Sequence, residues 1–148
     1  MARVTTQKRR EANETLRKAT ARRAKVGDAN IVDSGVDVLF ASRGSEVRAL
    51  YDALHRQLRK FGAIIVEPKK TSLHLVSGTA FAGVHPRASG VLLNIKSVAP
   101  LNGSRVKKIE RVSKNRFHNE VLLSSERDID AELLGWLRDA YHLCARVR

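Results

Sequence analysis

The residues of this chain best placed to do chemistry are its cations, and the chemistry is phosphate binding. Lys8-Arg9-Arg10, Arg17-Lys18 and Arg22-Arg23-Lys25 recur about every seven residues, a spacing that returns them to one side of a helix. Residues 1–25 carry nine basic side chains against Glu11 and Glu14. Residues 96–116 carry seven more (Lys96, Arg105, Lys107, Lys108, Arg111, Lys114, Arg116) against Glu110. The two blocks hold net charges of +7 and +6, which account for the whole net charge of +13. The rest of the chain is neutral overall, whereas a surface that is merely kept soluble intersperses its signs. Two concentrated cationic fields attract polyanions. Arg9, Arg10, Arg17, Arg22, Arg23, Lys107, Lys108 and Arg111 are therefore the expected phosphate contacts. A solvated tail and a solvated loop are the plainer readings of the same blocks.

Other reactive side chains point less far. His55, His74, His85, His118 and His142 have no metal-ligand spacing with one another, so each reads as a surface or hydrogen-bonded histidine, with His85 and His118 the candidates for lining a pocket. Glu126, Asp128, Asp130 and Glu132 look like a metal cluster, but they stand where a helix begins, and capping and the helix dipole account for them. Glu67 with Lys69 and Lys70 faintly matches the carboxylate-then-lysine end of a nuclease core, without a well-placed upstream aspartate. Cys144, the single cysteine, lies on an apolar helix face and reads as a buried thiol. It leaves no disulfide framework and no cysteine-rich zinc site. Phosphate-binding glycine loops, dinucleotide fingerprints and hydrolase elbows are absent from the sequence. No metal or cofactor is expected.

The elements that must carry these residues follow from periodicity. Residues 5–25 favour helix but lack an apolar stripe, which predicts an exposed helix or an arm that becomes helical on a partner. Residues 28–44 read as a linker with an apolar Val38-Leu39-Phe40 that docks on the body. Val47, Leu50, Tyr51, Leu54, Leu58 and Phe61 keep helical spacing after Ser45 as N-cap, and Gly62 ends the run. The period then changes to that of strands: residues 63–66, 72–76, 81–84, 91–95 and 117–123, separated by turns at Pro68-Lys69-Lys70, Gly78, Pro86–Gly90 and Pro100–Gly103. Val106, Ile109 and Val112 are three residues apart, so 105–116 reads as a short helix or an irregular loop. Ser125 and Asp128 form a capping-box pair ahead of a last helix whose face is Ile129, Leu133, Trp136, Leu137, Ala140, Tyr141 and Cys144. Short turns between neighbouring strands make the sheet mostly antiparallel. The expected fold class is α+β: a four- to five-stranded sheet covered by two helices, residues 45–148, preceded by a basic arm and linker, residues 1–44.

At 148 residues with 43% apolar content, the chain supports one core and excludes wholesale disorder. No apolar run approaches the roughly 20 residues that span a bilayer. The N-terminus is charged from Arg3 onward, without an apolar signal core, so a cytoplasmic protein with no membrane partner is expected. Aromatic residues supply only 5%, and Phe61, Phe81, Phe117, Trp136 and Tyr141 fall on core-facing positions. That pattern favours recognition of backbone or shape over base stacking.

Lys69-Lys70, Phe81-Ala82-x-Val84-x-Pro86, Val91-Leu92-Leu93, Phe117-His118 and Ser125-x-x-Asp128-Ile129-Asp130-x-Glu132-Leu133, closing on Trp136-Leu137-x-x-Ala140-Tyr141, resemble a bacterial domain family catalogued as domain of unknown function 5655. The resemblance covers roughly residues 45–145. More distantly the chain is similar to YdhG-like domains, some described as frataxin-like iron carriers. The resemblance implies an α+β domain that often accompanies nuclease-type or other nucleic-acid-associated modules, and it supplies no catalytic residues. Frataxin-type iron binding uses an acidic ridge, whereas the charge blocks here are basic. The function expected is a non-enzymatic module binding RNA, the ribosome or DNA. A small-molecule or metal carrier of the YdhG-like type and a minimal nuclease using Glu67 and Lys69 are the alternatives.

Overall fold

The computed structural model describes residues 34–146. The chain divides into Met1–Gly35 and Val36–Arg148, and the second unit holds every element discussed below apart from the first two residues of the opening helix. Helix α1 spans residues 34–40. Helix α2 (Ser45–Leu58) runs into a 3-10 turn at Arg59–Phe61. Six strands follow: β1 (Ile65–Pro68), β2 (Leu73–Val76), β3 (Ala80–Arg87), β4 (Gly90–Ser97), β5 (Val106–Ser113) and β6 (Arg116–Leu123). A 3-10 turn at Glu126–Asp128 leads into helix α3 (Ala131–Ala145).

The strands form one antiparallel sheet in the order β1-β2-β3-β4-β6-β5. The α+β antiparallel reading therefore holds. The strand count is six rather than four or five, and the described residues contain three helices rather than two. Residues 34–40, assigned to a linker on sequence grounds, are helical with Val36 and Phe40 buried.

Alternation along the strands explains which face is covered. Leu73 and Leu75, Val84 and Pro86, Val91, Leu93 and Ile95, and Val121 and Leu123 point to one side and are buried. Helices α2 and α3 pack there, above β3 and β4, through Leu54, Leu58, Leu133, Leu137, Ala140 and Cys144. Each of those helices has an apolar stripe at helical spacing, and burying it against the sheet is what orders both. The N-cap of α2 is Gly44, one residue ahead of the expected Ser45. Asp128 accepts from the backbone N–H groups of Ser124 (2.7 Å) and Ser125 (3.2 Å), so the expected capping box exists. It closes the 3-10 turn, while Asp130 caps α3 by accepting from the Leu133 N–H at 3.0 Å.

Two tethers fix where the β4–β5 connection runs. Asn119 is fully buried. Its Nδ2 donates to the Ile95 carbonyl and to Ser97 Oγ, both at 2.9 Å, and its Oδ1 accepts from the Leu101 N–H at 3.1 Å. Every bonding group of the amide but one lone pair is thereby engaged, as a buried polar side chain requires. At the other end of the connection Arg105 reaches the start of α3. It donates to Asp130 Oδ1 at 2.8 Å, to Glu132 Oε1 at 3.4 Å and to the Asp128 carbonyl at 2.5 Å. These bonds let the chain pass over β6 and lay β5 on its outer side.

Candidate nucleic-acid interface

The segment 105–116 is neither a helix nor an irregular loop: Val106–Ser113 is an eight-residue edge strand. Its three-residue apolar spacing has a geometric cause. Val106 lies opposite Val121 and Ile109 opposite Asn119, three residues against two, because Lys107 is an inserted bulge residue. A second irregularity between Arg111 and Ser113 displaces Val112. Bulges turn a two-residue period into three.

This strand and the turn to β6 display the second cationic block. Lys107, Lys108, Arg111 and Lys114 are exposed and Arg116 is half-buried. Lys108 lies opposite Glu120, a complementary cross-strand charge pair, and Glu110 lies opposite His118. The Arg111 guanidinium stands 5.8 Å from the Phe117 ring centroid and donates to the Ser113 and Lys114 carbonyls, which orients it across the hairpin end. Arg105 belongs to the same block in sequence, but its bonds to α3 make it a structural clip. Of the expected phosphate contacts, Lys107, Lys108 and Arg111 all lie on the edge strand, with Lys108 opposite Glu120 on the polar face and Arg111 opposite Phe117 on the helix-covered side. Arg9, Arg10, Arg17, Arg22 and Arg23 lie outside the described residues.

The sheet face turned away from α2 and α3 carries a feature that sequence reasoning missed. Glu67, His74, Gly83, Asn94, Glu120 and Lys108 lie directly opposite one another from β1 through β6 to β5, one residue per strand. A neighbouring row places Lys96 opposite His118 and His118 opposite Glu110. His85 stands two residues beyond Gly83 on the same face. All three histidines are half-buried, and burial is the main cause that lowers each imidazole's pKa. Lys69 adds to the effect at His74, Arg87 at His85 and Lys96 at His118, with Glu67, Glu120 and Glu110 opposing in turn. Neutral imidazoles result, each able to donate one hydrogen bond and accept another. The available signal was local: each histidine sits between two core-facing neighbours, which turns it to the opposite face.

The remaining candidates resolve simply. Glu67 and Lys69 form an ion pair of 3.6 Å at the exposed β1 edge. Cys144 is buried, with its Sγ 3.5 Å from the Ala80 carbonyl. His55 stacks on Tyr51, ring centroids 5.8 Å apart. Phe40, Tyr51 and Phe81 are buried, so none of those three is offered for stacking. Among the described residues no three His, Cys, Asp or Glu side chains stand where they could share a metal ion. Among the described residues, too, no helix is long and apolar enough to cross a membrane.

An open antiparallel sheet with helices packed on one face, a cationic edge and a polar second face defines this as an α+β protein. The chain belongs to the family described as Domain of unknown function (DUF5655), which matches residues 36–144. No curated protein and no solved structure matches the chain.

Proposed function

We propose that the protein is a non-enzymatic nucleic-acid-binding module that holds RNA, the ribosome or DNA by its phosphates. One observation carries the reading: the β5–β6 hairpin gathers Lys107, Lys108, Arg111, Lys114 and Arg116 along one edge and turn of the sheet. Lysine and arginine displace condensed counterions from a phosphate backbone, and each phosphate contact made steepens the salt dependence of binding. Residues 1–25 carry a further net charge of +7. A cytoplasmic setting fits such a partner.

The test is fluorescence anisotropy of labelled RNA and DNA at rising salt. The parent protein gives a slope of log affinity against log salt of several units. Lys107→Glu with Lys108→Glu weakens binding and lowers that slope by about two, roughly one per lost phosphate contact. Unchanged affinity and slope in the double variant would remove the hairpin from the interface.

A further inference from the structure

We infer that the polar sheet face is a dimer surface, on which a second copy of this chain seats face to face about a two-fold axis running along the strands between β3 and β4. The inference is independent of the phosphate contacts proposed above. Helices α2 and α3 cover the other face of the sheet. On the polar face Glu67, Arg87, Lys108, Glu110 and Leu122 are exposed, and strand alternation places them on one side with Leu92. Charge decides what fits there. The chain carries +13, yet this face sets Glu67, Glu110 and Glu120 against Arg87, Lys96 and Lys108, with Arg116 at its corner. A phosphate polymer, or any partner of one sign, meets its own sign on so balanced a surface. The fitting partner carries both signs in a matching order.

That order is written in one cross-strand row. From β1 to β5 it reads Glu67, His74, Gly83, Asn94, Glu120, Lys108. Turned about the axis, a second copy lays the row down in reverse. Glu67 then faces the partner's Lys108, His74 faces the partner's Glu120, and each pairing occurs twice. The uncharged Gly83 and Asn94 lie nearest the axis, where each residue comes closest to its own copy and a charge would repel itself. A two-fold axis across the strands would instead bring Glu67 to Glu67 and Lys108 to Lys108, so the charge order selects the first axis. In the next row His85 lies opposite Leu92 and Leu92 opposite Leu122. The same turn lays Leu92 on the partner's His85 and removes the exposed Leu122 from water. Twisted sheets stack with their strands within about 30° of alignment, which this axis allows. The face measures about 24 Å across six strands and about 27 Å along the longest. Such a plane, at most about 650 Å², is smaller than the roughly 800 Å² per partner of a standard interface, so the dimer is a weak one with a micromolar dissociation constant.

Sedimentation velocity of the full chain, free of nucleic acid and followed across the micromolar range, tests this. The parent moves from 16.5 kDa to twice that mass as concentration rises. Glu67→Lys sets like charges together at two symmetric contacts and raises the dissociation constant at least about tenfold. Lys108→Glu does the same. The double variant Glu67→Lys with Lys108→Glu exchanges the signs and returns the dissociation constant toward the parent's value. Within one chain the two residues stand on opposite edge strands, about 24 Å apart, so only a second copy supplies that rescue. Thermal melts confirm that all three variants fold. A parent that keeps the monomer mass throughout, single variants that dimerise as the parent does, or a double variant no better than the singles overturns the dimer face and leaves the phosphate reading standing.

Discussion

Replacing Asn119 with alanine tests whether the β4–β5 crossover is held by one side chain. The amide makes three hydrogen bonds, to Ile95, Ser97 and Leu101, from a position with no solvent exposure. Truncation leaves the Ile95 carbonyl and the Leu101 N–H short of a partner. A buried group left unsatisfied costs about 1–3 kcal/mol. The Ile95 side is buried and cannot recruit water, whereas Leu101 is half-buried and recovers part of its loss. The net expectation is about 2 kcal/mol, or a fall of roughly 8 °C in Tm for a body of this size. Asn119→Asp refines the test. It keeps the acceptor for Leu101 but turns a buried carboxylate toward the Ile95 carbonyl oxygen. Burial raises that carboxyl's folded pKa above its unfolded value. Its protonated form then supports the fold at low pH, and this support is lost as pH rises through the raised pKa. Relative to the parent, Asn119→Asp is therefore least stable at neutral pH and recovers toward pH 4. Denaturant melts of both variants at pH 7 and pH 4.5 read the effect. A loss below about 0.5 kcal/mol for Asn119→Ala, the size of an ordinary surface substitution, or no pH-dependent recovery for Asn119→Asp, would refute the reasoning.

Three further outcomes follow from other parts of the structure. Gly78→Ala places a Cβ 2.5 Å from the backbone oxygen of Cys144, where the Thr79 N–H caps the end of α3 at 3.2 Å; it should cost about 1–3 kcal/mol in a denaturant melt, while Gly83→Ala, whose Cβ meets only ordinary contacts at 3.6 Å and beyond, should cost nothing. The Tyr51 hydroxyl is buried without a hydrogen-bond partner among the described residues, and burial, helped by the Asp52 carboxylate and opposed by Arg48, pushes its pKa up to about 12. Tyr51→Phe should leave Tm unchanged or raise it, and a clear fall would mean the hydroxyl has a partner. His55, His74, His85 and His118 all have folded pKa values below the ordinary histidine value, chiefly through burial. The unfolded chain then binds more protons as pH falls through the ordinary histidine range, so Tm should decline from pH 7.5 to pH 5.5; replacing His74, His85 and His118 together with glutamine should flatten that decline.

Much of the fold was legible because local periodicity and tertiary burial agree. Leu133, Leu137, Ala140 and Cys144 mark one face of α3 in the sequence, and the same residues are buried. Leu73 and Leu75, or Val91, Leu93 and Ile95, alternate as strand residues must when one face is covered. β5 was illegible because its bulges at Lys107 and Val112 break that alternation and imitate a helical period. The strand order was also hidden. Nothing local to residues 98–105 announces that the chain steps over β6, since the Asn119 and Arg105 tethers join residues far apart in sequence. The cationic edge was visible as charge density, but its layout needed the structure, which ties Arg105 to α3 and places Lys107, Lys108 and Arg111 on one edge strand with Lys108 and Arg111 on opposite faces. The shared face of His74, His85 and His118 could not be read from their spacing, because they come from three strands and stand in three different cross-strand rows.

The bulged, lysine-bearing edge has a consequence beyond ligand contact. Among the described residues no strand pairs with the outer side of β5, and an eight-residue edge of that kind is a template on which another chain could polymerise. Kinks at two positions spoil a continuous register for an incoming strand, and like charges on copies of this edge repel. The same cations therefore act as gatekeepers of solubility, and stripping them to neutral alanine would bare Ile109 and Val112 beside free main-chain donors. Glutamate replacements keep the edge charged while reversing its sign, so loss of affinity in those variants can be told apart from self-association.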